Sequence, residues 1–294
     1  MFIQFTKHRK LWYVISSIVI IAGIISMLIP GRGLNLGIDF KGGTLINLEF
    51  AQTVKIADVR TVLDSAKISA QLNEAGAKGM LIRVPVMTEA ENTALISKLG
   101  TELGDFTVKS NENVSAIVGK ELTNKAILAV IIASLLMAIY ITFRFEFLFG
   151  ISAVLSLLHD VLIMIGLFSI FQWEVNSTFI AAMLTIIGYS INDTIVNFDR
   201  IRENRGYQKK ESDAEVVDKS INQCLVRSIT TAATVWIALV CLLAFGGESI
   251  KMFTLAMLIG TVAGAYSSIF VAAPLWLDFE QLWGNKLHKS RKRK

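Results

Sequence analysis

The chain has 294 residues, of which 53% are hydrophobic and only 18% charged, and its mean hydropathy is +0.55. Soluble domains carry about a quarter charged residues, so this composition excludes an ordinary water-soluble protein. The net charge of +5 is not a nucleic-acid footprint, because the excess lies at the two ends and in one loop, beside apolar stretches, as on the cytoplasmic side of a membrane protein. Cys224 and Cys241 lie 17 residues apart on one helical stretch, roughly 25 Å at 1.5 Å per residue, too far to pair.

Six apolar stretches are long enough to cross a hydrocarbon core, which takes about 20 residues. They are Leu11–Ile29, Ala126–Phe143, Leu148–Phe171, Thr178–Phe198, Ser228–Phe245 and Met252–Leu277. The first exceeds the apolar core of a cleaved signal and no small-x-small site follows it. Ile29-Pro30-Gly31 stops it, so it reads as a retained anchor. Lys7, Arg9 and Lys10 precede span 1. Arg200, Arg202, Arg205, Lys209, Lys210, Lys219 and Arg227 follow span 4, and Lys286, Lys289, Arg291, Lys292, Arg293 and Lys294 close the chain. The opposite short loops are nearly bare of Lys and Arg, which puts both termini in the cytoplasm.

The expected organisation is residues 1–30 as tail and span 1, 31–124 as an extracytoplasmic domain, 125–277 as spans 2–6 with a cytoplasmic loop at 199–227, and 278–294 as a basic tail. The segment 31–124 holds 10 Lys/Arg and 11 Asp/Glu and reads as a small folded domain. Thr44–Phe50 alternates as a strand. Val54–Ser65 and Glu89–Leu103 have helical spacing. Ile68–Leu72, Met80–Val84 and Phe106–Lys109 read as further strands. The order β-α-β-β-α-β predicts a ferredoxin-like α+β fold. The domain has no histidine and no metal-ligand spacing, so it reads as a contact domain.

Charged groups inside spans are expensive and mark function. His159 and Asp160 lie midway along span 3, Asn192 and Asp193 in span 4, and Arg227 at the entrance to span 5. A carboxyl in low dielectric holds its proton more tightly, and a nearby arginine loosens that hold. A carboxyl that alternately meets and leaves an arginine is therefore a proton relay. The alternative is a fixed Asp193–Arg227 ion pair joining two helices. Asp160 is the weaker candidate, either a second relay group or a local hydrogen-bond partner. His159, about 100° around the helix from Asp160, reads as a packing or hydrogen-bonding residue. Gly260 and Gly264, with Ala256 and Ser268 on the same face, form a small-residue stripe for close helix approach; Gly188, Ala181 and Gly150 look similar. Ser212-Asp213-Ala214-Glu215 is a capping box. It opens a helix expected along the membrane surface or against the inner ends of the spans.

Three segments together carry a family resemblance. The first is Gly37-Ile38-Asp39-Phe40-Lys41-Gly42-Gly43-Thr44, after span 1. The second runs from Gly188 through Asn192, Asp193, Asp199 and Arg200 to Asn204. The third is Arg227 with the Thr-rich start of span 5. In motif order, span count and domain position the chain resembles the SecD/SecF family of the RND superfamily, and its unfused SecF-type members in particular. The resemblance implies a non-enzymatic subunit of protein export in the bacterial inner membrane. Its partners would be a separate SecD, the SecYEG channel, YajC and YidC, and the translocating preprotein. It would need no cofactor beyond the proton gradient. It places the family's transmembrane carboxylate on Asp193 and its arginine on Arg227. Asn197 departs from the family's apolar residue, and Ile229–Thr234 from its usual Asn-Thr-Ser type sequence. Competing readings are half of an RND small-molecule exporter, an intramembrane aspartyl protease using Asp160 and Asp193, and a passive scaffold of the channel.

Overall fold

The computed structural model describes residues 2–207 and 211–284. Lys209, Lys210 and the basic tail from Lys286 onward lie outside the described residues. The chain divides into two compact units, Leu36–Ile127 and the combination of Met1–Asn35 with Leu128–Lys294.

In the smaller unit β1 (Gly43–Phe50) is followed by α3 (Ile56–Ser65), β2 (Gln71–Glu74), β3 (Gly79–Val84), α4 (Glu89–Leu103) and β4 (Phe106–Val114). The sheet order is β2-β3-β1-β4, every pair antiparallel. Alternation sends Ile46, Leu48 and Phe50 of β1 and Met80, Ile82 and Val84 of β3 to one face. There they meet Val59, Val62 and Leu63 of α3 and Leu95 and Leu99 of α4. Helix α4 has the expected bounds because Thr88 and Glu91 close a reciprocal capping box and Gly104, at φ 89°, ends it. Two strands differ from the sequence expectation. The stretch Ile68–Leu72 is a strand only from Gln71, because Lys67 turns left-handed and the Ile68 amide donates back to the Leu63 carbonyl, finishing α3. Strand β4 runs on past Lys109 to Val114, its polar composition masking an edge strand bonded along one side only.

The first motif segment folds as a single helical turn, α2 (Ile38–Lys41), ahead of β1. Gly42 at φ 74° and Gly43 at φ 136° make the turn from helix to strand, a backbone region glycine enters without strain. A Cβ on Gly43 would lie 2.8 Å from the Val84 carbonyl oxygen, so the position is closed to other residues by space as well.

The larger unit supplies the apolar helices. With α5 (Ala116–Arg144), which begins in the smaller unit, six helical stretches are long and apolar enough to cross a membrane: Thr6–Leu28, Ile117–Arg144, Phe147–Phe171, Ser177–Tyr207, Asp213–Phe245 and Ile250–Gly284. Most are longer than the apolar runs in the sequence. In particular, the capped segment opening at Ser212 is continuous with span 5 as one 33-residue helix, α8 (Asp213–Phe245). Arg227 interrupts the hydropathy there but nothing interrupts the helix. The first half of α8 is buried through Val216, Val217, Ile221 and Cys224.

Helices α6 (Phe147–Phe171), α7 (Ser177–Tyr207) and α9 (Glu248–Ser267) form the inside of the bundle, while the spans of α1 (Arg9–Leu28), α5 and α8 are mostly exposed. Small residues set the inner spacing. A Cβ on Gly264 would lie 2.9 Å from Ser190 Cβ, and one on Gly260 2.6 Å from Ile186. Gly150 faces Thr142 of α5. Gly188 departs from the expected packing role, since nothing lies within 4 Å of the Cβ it lacks. A crossing not evident in the sequence joins α1 to α6, where a Cβ on Gly23 would lie 2.5 Å from Gly166 Cα. At the end of the bundle carrying the α7–α8 connection, Phe149 stacks on Trp276 of α10 (Ala273–Phe279) with ring centroids 4.6 Å apart.

Candidate functional site

Asp193 lies on α7, whose start is fixed by Asn176: its Oδ1 accepts from the Phe179 amide at 3.1 Å and from Thr178 Oγ1 at 2.7 Å. The Asp193 carboxylate is half-buried and gripped by two hydroxyls from two other helices. Ser228 Oγ of α8 donates to Oδ1 at 2.7 Å, and Ser268 Oγ donates to Oδ2 at 2.7 Å. Ser268 opens a π-helical turn, Ser268–Ala272, between α9 and α10. Such a turn shifts the backbone ladder and is a recurrent feature of functional sites. Buried Asn197 donates from Nδ2 to the Ser268 carbonyl at 3.2 Å. It thus anchors the segment that presents the Ser268 hydroxyl.

Asp193 and Arg227 line one cavity of ≈ 40 Å³ together with Tyr189, Asn192, Thr231 and Ala265. That is room for ordered water. Among the described residues no ion pair joins Asp193 to Arg227, so the fixed-pair alternative does not describe this structure. Arg227 is exposed.

Asp160, on α6, is in the opposite condition, 1% exposed. Ser190 Oγ of α7 and Ser267 Oγ of α9 donate to its Oδ2 at 2.5 and 2.9 Å, and His159 Nδ1 lies 2.9 Å from its Oδ1. The side chains of neighbours 159 and 160 therefore turn toward each other, although helical geometry alone sets them about 100° apart. His159 Nε2 lies 2.9 Å from Ser16 Oγ of α1, in agreement with a hydrogen-bonding histidine. The two aspartates do not form a catalytic pair of the protease kind: each has its own serines, and among the described residues no side chain bonds to both. Serines 267 and 268, adjacent in sequence, divide between them.

Gly188 and Asn192 are exposed, Asn192 on the wall of the Asp193 cavity. Farther along, Asp199 pairs with Arg202 at 2.9 Å and Arg144 at 3.7 Å, and Arg200 with Glu203 at 2.9 Å. These are surface ion pairs of the helix end, distant in role from the carboxylate site. Gly37, Asp39, Phe40, Gly42, Gly43 and Thr44 belong to the smaller unit, where they shape the entry to β1. The sequence did not single out Ser190, Ser228, Ser267, Ser16 or Tyr266. A further anchor was hidden in the N-terminal tail, where the Thr6 amide and Oγ1 both donate to buried Asp218 of α8 at 2.8 Å. Arg9 pairs with Asp278 of α10 at 2.8 Å.

Comparison with known proteins agrees with this architecture. The family profile described as protein export membrane protein SecD/SecF, C-terminal, matches residues 95–282, and the SecD/SecF GG motif matches residues 28–54. The protein translocase subunit SecF of Sebaldella termitidis is 41% identical over 280 residues, covering 93% of this chain and 90% of that protein. The translocase subunit SecDF of Bacillus subtilis is 40% identical over 292 residues, covering 97% of this chain and 39% of the longer protein. The crystal structure of the translocon-associated membrane protein SecDF from Thermus thermophilus superposes with a TM-score of 0.88 at 31% identity, over 96% of this chain and 39% of that one. With a family profile across most of its length and near-full-length relatives, the chain belongs to the SecD/SecF family of protein export membrane proteins.

Proposed function

We propose that the chain is a SecF-type subunit that works with a SecD partner beside the SecYEG channel, and that it uses the proton motive force to assist protein export. The single observation behind the energetic part is the Asp193 carboxylate, held by two hydroxyls from two other helices and sharing a cavity with Arg227, which forms no ion pair among the described residues. Hydroxyls donate and accept, so the serine cradle serves either protonation state. When Asp193 gains a proton, one carboxyl oxygen becomes a donor and its serine must redirect its own hydrogen. Ser268 has a second acceptor ready, the Ala265 carbonyl at 3.2 Å. When the proton leaves, the carboxylate attracts Arg227 across the cavity. Each cycle thus changes the contacts among α7, α8 and the π-helical turn. A charge crossing the membrane supplies about 2.3 kcal/mol per 100 mV, comparable to remaking one or two hydrogen bonds to a charged group.

The basic flanks support a topology with both termini cytoplasmic, which sets the β-sheet unit outside. Its β-α-β-β-α-β order, with an antiparallel β2-β3-β1-β4 sheet, supports a ferredoxin-like reading of that unit. The relatives that cover the chain include SecDF proteins, which supports SecD as its partner.

The test is secretion in cells depleted of the native protein and supplied with Asp193→Asn at matched membrane levels. Precursor accumulation is read with and without a proton gradient. The proposal expects the variant to assemble while losing the gradient-dependent part of export. Unchanged export would return the chain to the scaffold reading.

A further inference from the structure

The Asp160 cluster has more order than its role as a weaker candidate requires, and its hydrogen bonds fix the positions of protons. Tyr266 OH lies 2.9 Å from the Trp12 carbonyl oxygen, an acceptor only, so the phenol donates there. Ser16 Oγ, 3.2 Å from the same phenol oxygen, therefore donates to it. With its one hydrogen committed, Ser16 must accept from His159, which puts a proton on Nε2. Nδ1 is then either a bare lone pair or the carrier of a second proton, and it faces Asp160 Oδ1 at 2.9 Å. A bare lone pair against an ionised carboxylate oxygen at that distance is repulsive. Two arrangements remain: imidazolium with carboxylate, or imidazole with carboxylic acid. Both place one proton between Nδ1 and Oδ1, and both leave the pair with no net charge, the condition under which ionisable groups are tolerated in a low-dielectric interior.

We propose that His159 and Asp160 form a second proton-binding site in the bundle, a dyad that holds one proton on the Nδ1–Oδ1 line. The surroundings suit it. Around the pair α1 presents Ser16, α7 presents Ser190, and α9 presents Tyr266 and Ser267. Tyr266 is the one further titratable side chain in the hydrogen-bonded chain. Among the described residues no lysine or arginine forms an ion pair with the dyad, and Asp193 is held by other serines. The lipid side is walled by an apolar groove including Ile15, Val19, Ile163, Leu258 and Val262. The proton has a mechanical consequence. Ser267 reaches either Asp160 Oδ2 at 2.9 Å or its own Gly264 carbonyl at 3.2 Å. Gain or loss of the shared proton changes how strongly Oδ2 accepts and so biases Ser267 between these two settings; Ser267 is the residue next to the Ser268 that grips Asp193. No hydrogen-bonded path among the described side chains joins the two carboxylates, so the link runs through the helix and not through proton hopping. The proposal stands whether or not Asp193 carries protons during export.

The experiment uses the full chain in lipid bilayers with ring-¹⁵N histidine. His8, His159 and His288 are the three histidines, and His159→Gln identifies the resonance by its loss. Near neutral pH the dyad predicts a protonated Nε2 together with one of two signatures, a protonated Nδ1 or a protonated-carboxyl C=O infrared band. Asp160→Asn must abolish whichever is present, and Asp193→Asn must leave it in place. A bare Nε2 with a protonated Nδ1 overturns the proposal, because it describes an ordinary neutral histidine orienting toward an ionised aspartate. A protonated Nε2 with neither signature overturns it equally. A signature that vanishes in Asp193→Asn and persists in Asp160→Asn assigns the proton to the wrong carboxyl and rejects the dyad.

Discussion

Asp160 and Asp193 sit on neighbouring helices in the same bundle, and each is held by serines, yet their surroundings differ in kind. Asp160 is sealed, 1% exposed, with three partners from three residues. Asp193 has two partners and an adjoining cavity with a cation on its wall. Burial with every partner in place makes a group stable and slow to change. A half-open cradle of hydroxyls makes a group that exchanges partners at little cost. The number of carboxylates in a membrane bundle therefore says less about the site of work than the number of alternative partners each one has.

Removing the side chains should expose that difference most strongly. Asp160→Ala leaves His159, Ser190 and Ser267 without their acceptor in a dry interior. Breaking one partner of a buried pair costs about 3–5 kcal/mol, so the thermal unfolding midpoint of the detergent-solubilised chain should drop steeply. Asp193→Ala, beside a cavity that admits water, should lower it far less. Equal losses would erase the distinction between the sites. Next in size, Gly264→Val drives a branched side chain of α9 into Ser190 of α7, the Asp160 partner, and shifts the helix end that carries Ser267 and Ser268. Overpacking costs about 1–3 kcal/mol, and both carboxylates should lose their serine geometry together. A variant as stable as the parent would show that the close approach is not needed.

Ser268→Ala sharpens the comparison from the Asp193 side. It deletes a hydrogen bond to a charged group, about 1.5–3 kcal/mol, without touching Asp160. Gradient-dependent export should fall while the His159 ring resonances stay in place, and a parental export rate would show that the cradle does not matter. The smallest effect belongs to the β-sheet unit, which contains neither carboxylate. There the Thr88 amide and hydroxyl hold the Glu91 carboxyl below the usual glutamate range. A pKa depressed in the folded state adds stability above the unfolded value of about 4.5, lost as pH falls through the folded value. Glu91→Gln should flatten that acid dependence in hydrogen exchange of α4 and leave export unchanged. An acid profile identical to the parent would remove Glu91 from the account.

Much of this was legible in the sequence. Twenty-residue apolar runs marked the spans, and the 3.6-residue and two-residue periodicities marked α4 and β1. Asp193, Asp160 and Arg227 stood out because charge in a span is rare. The serines did not stand out as carboxylate partners, and Ser268 was legible only as a member of a small-residue stripe, since one hydroxyl in a helix is common and satisfies itself on its own backbone. Only the pairing of helices shows that Ser228 and Ser268 meet one carboxylate and Ser190 and Ser267 the other. The Gly23–Gly166 crossing was hidden for the same reason, as two single glycines far apart in the chain carry no local pattern. The length of α8 was obscured because hydropathy breaks at Arg227 where the backbone does not.

The most direct test of the Asp193 account is a carbon–nitrogen distance measurement by solid-state NMR between the Asp193 carboxyl and the Arg227 guanidinium, in bilayers, across pH. The account predicts a close contact at high pH, where the carboxyl is ionised, that is lost at low pH as the protonated group settles on Ser228 and Ser268. A contact of constant length at every pH, or none at any, would contradict it.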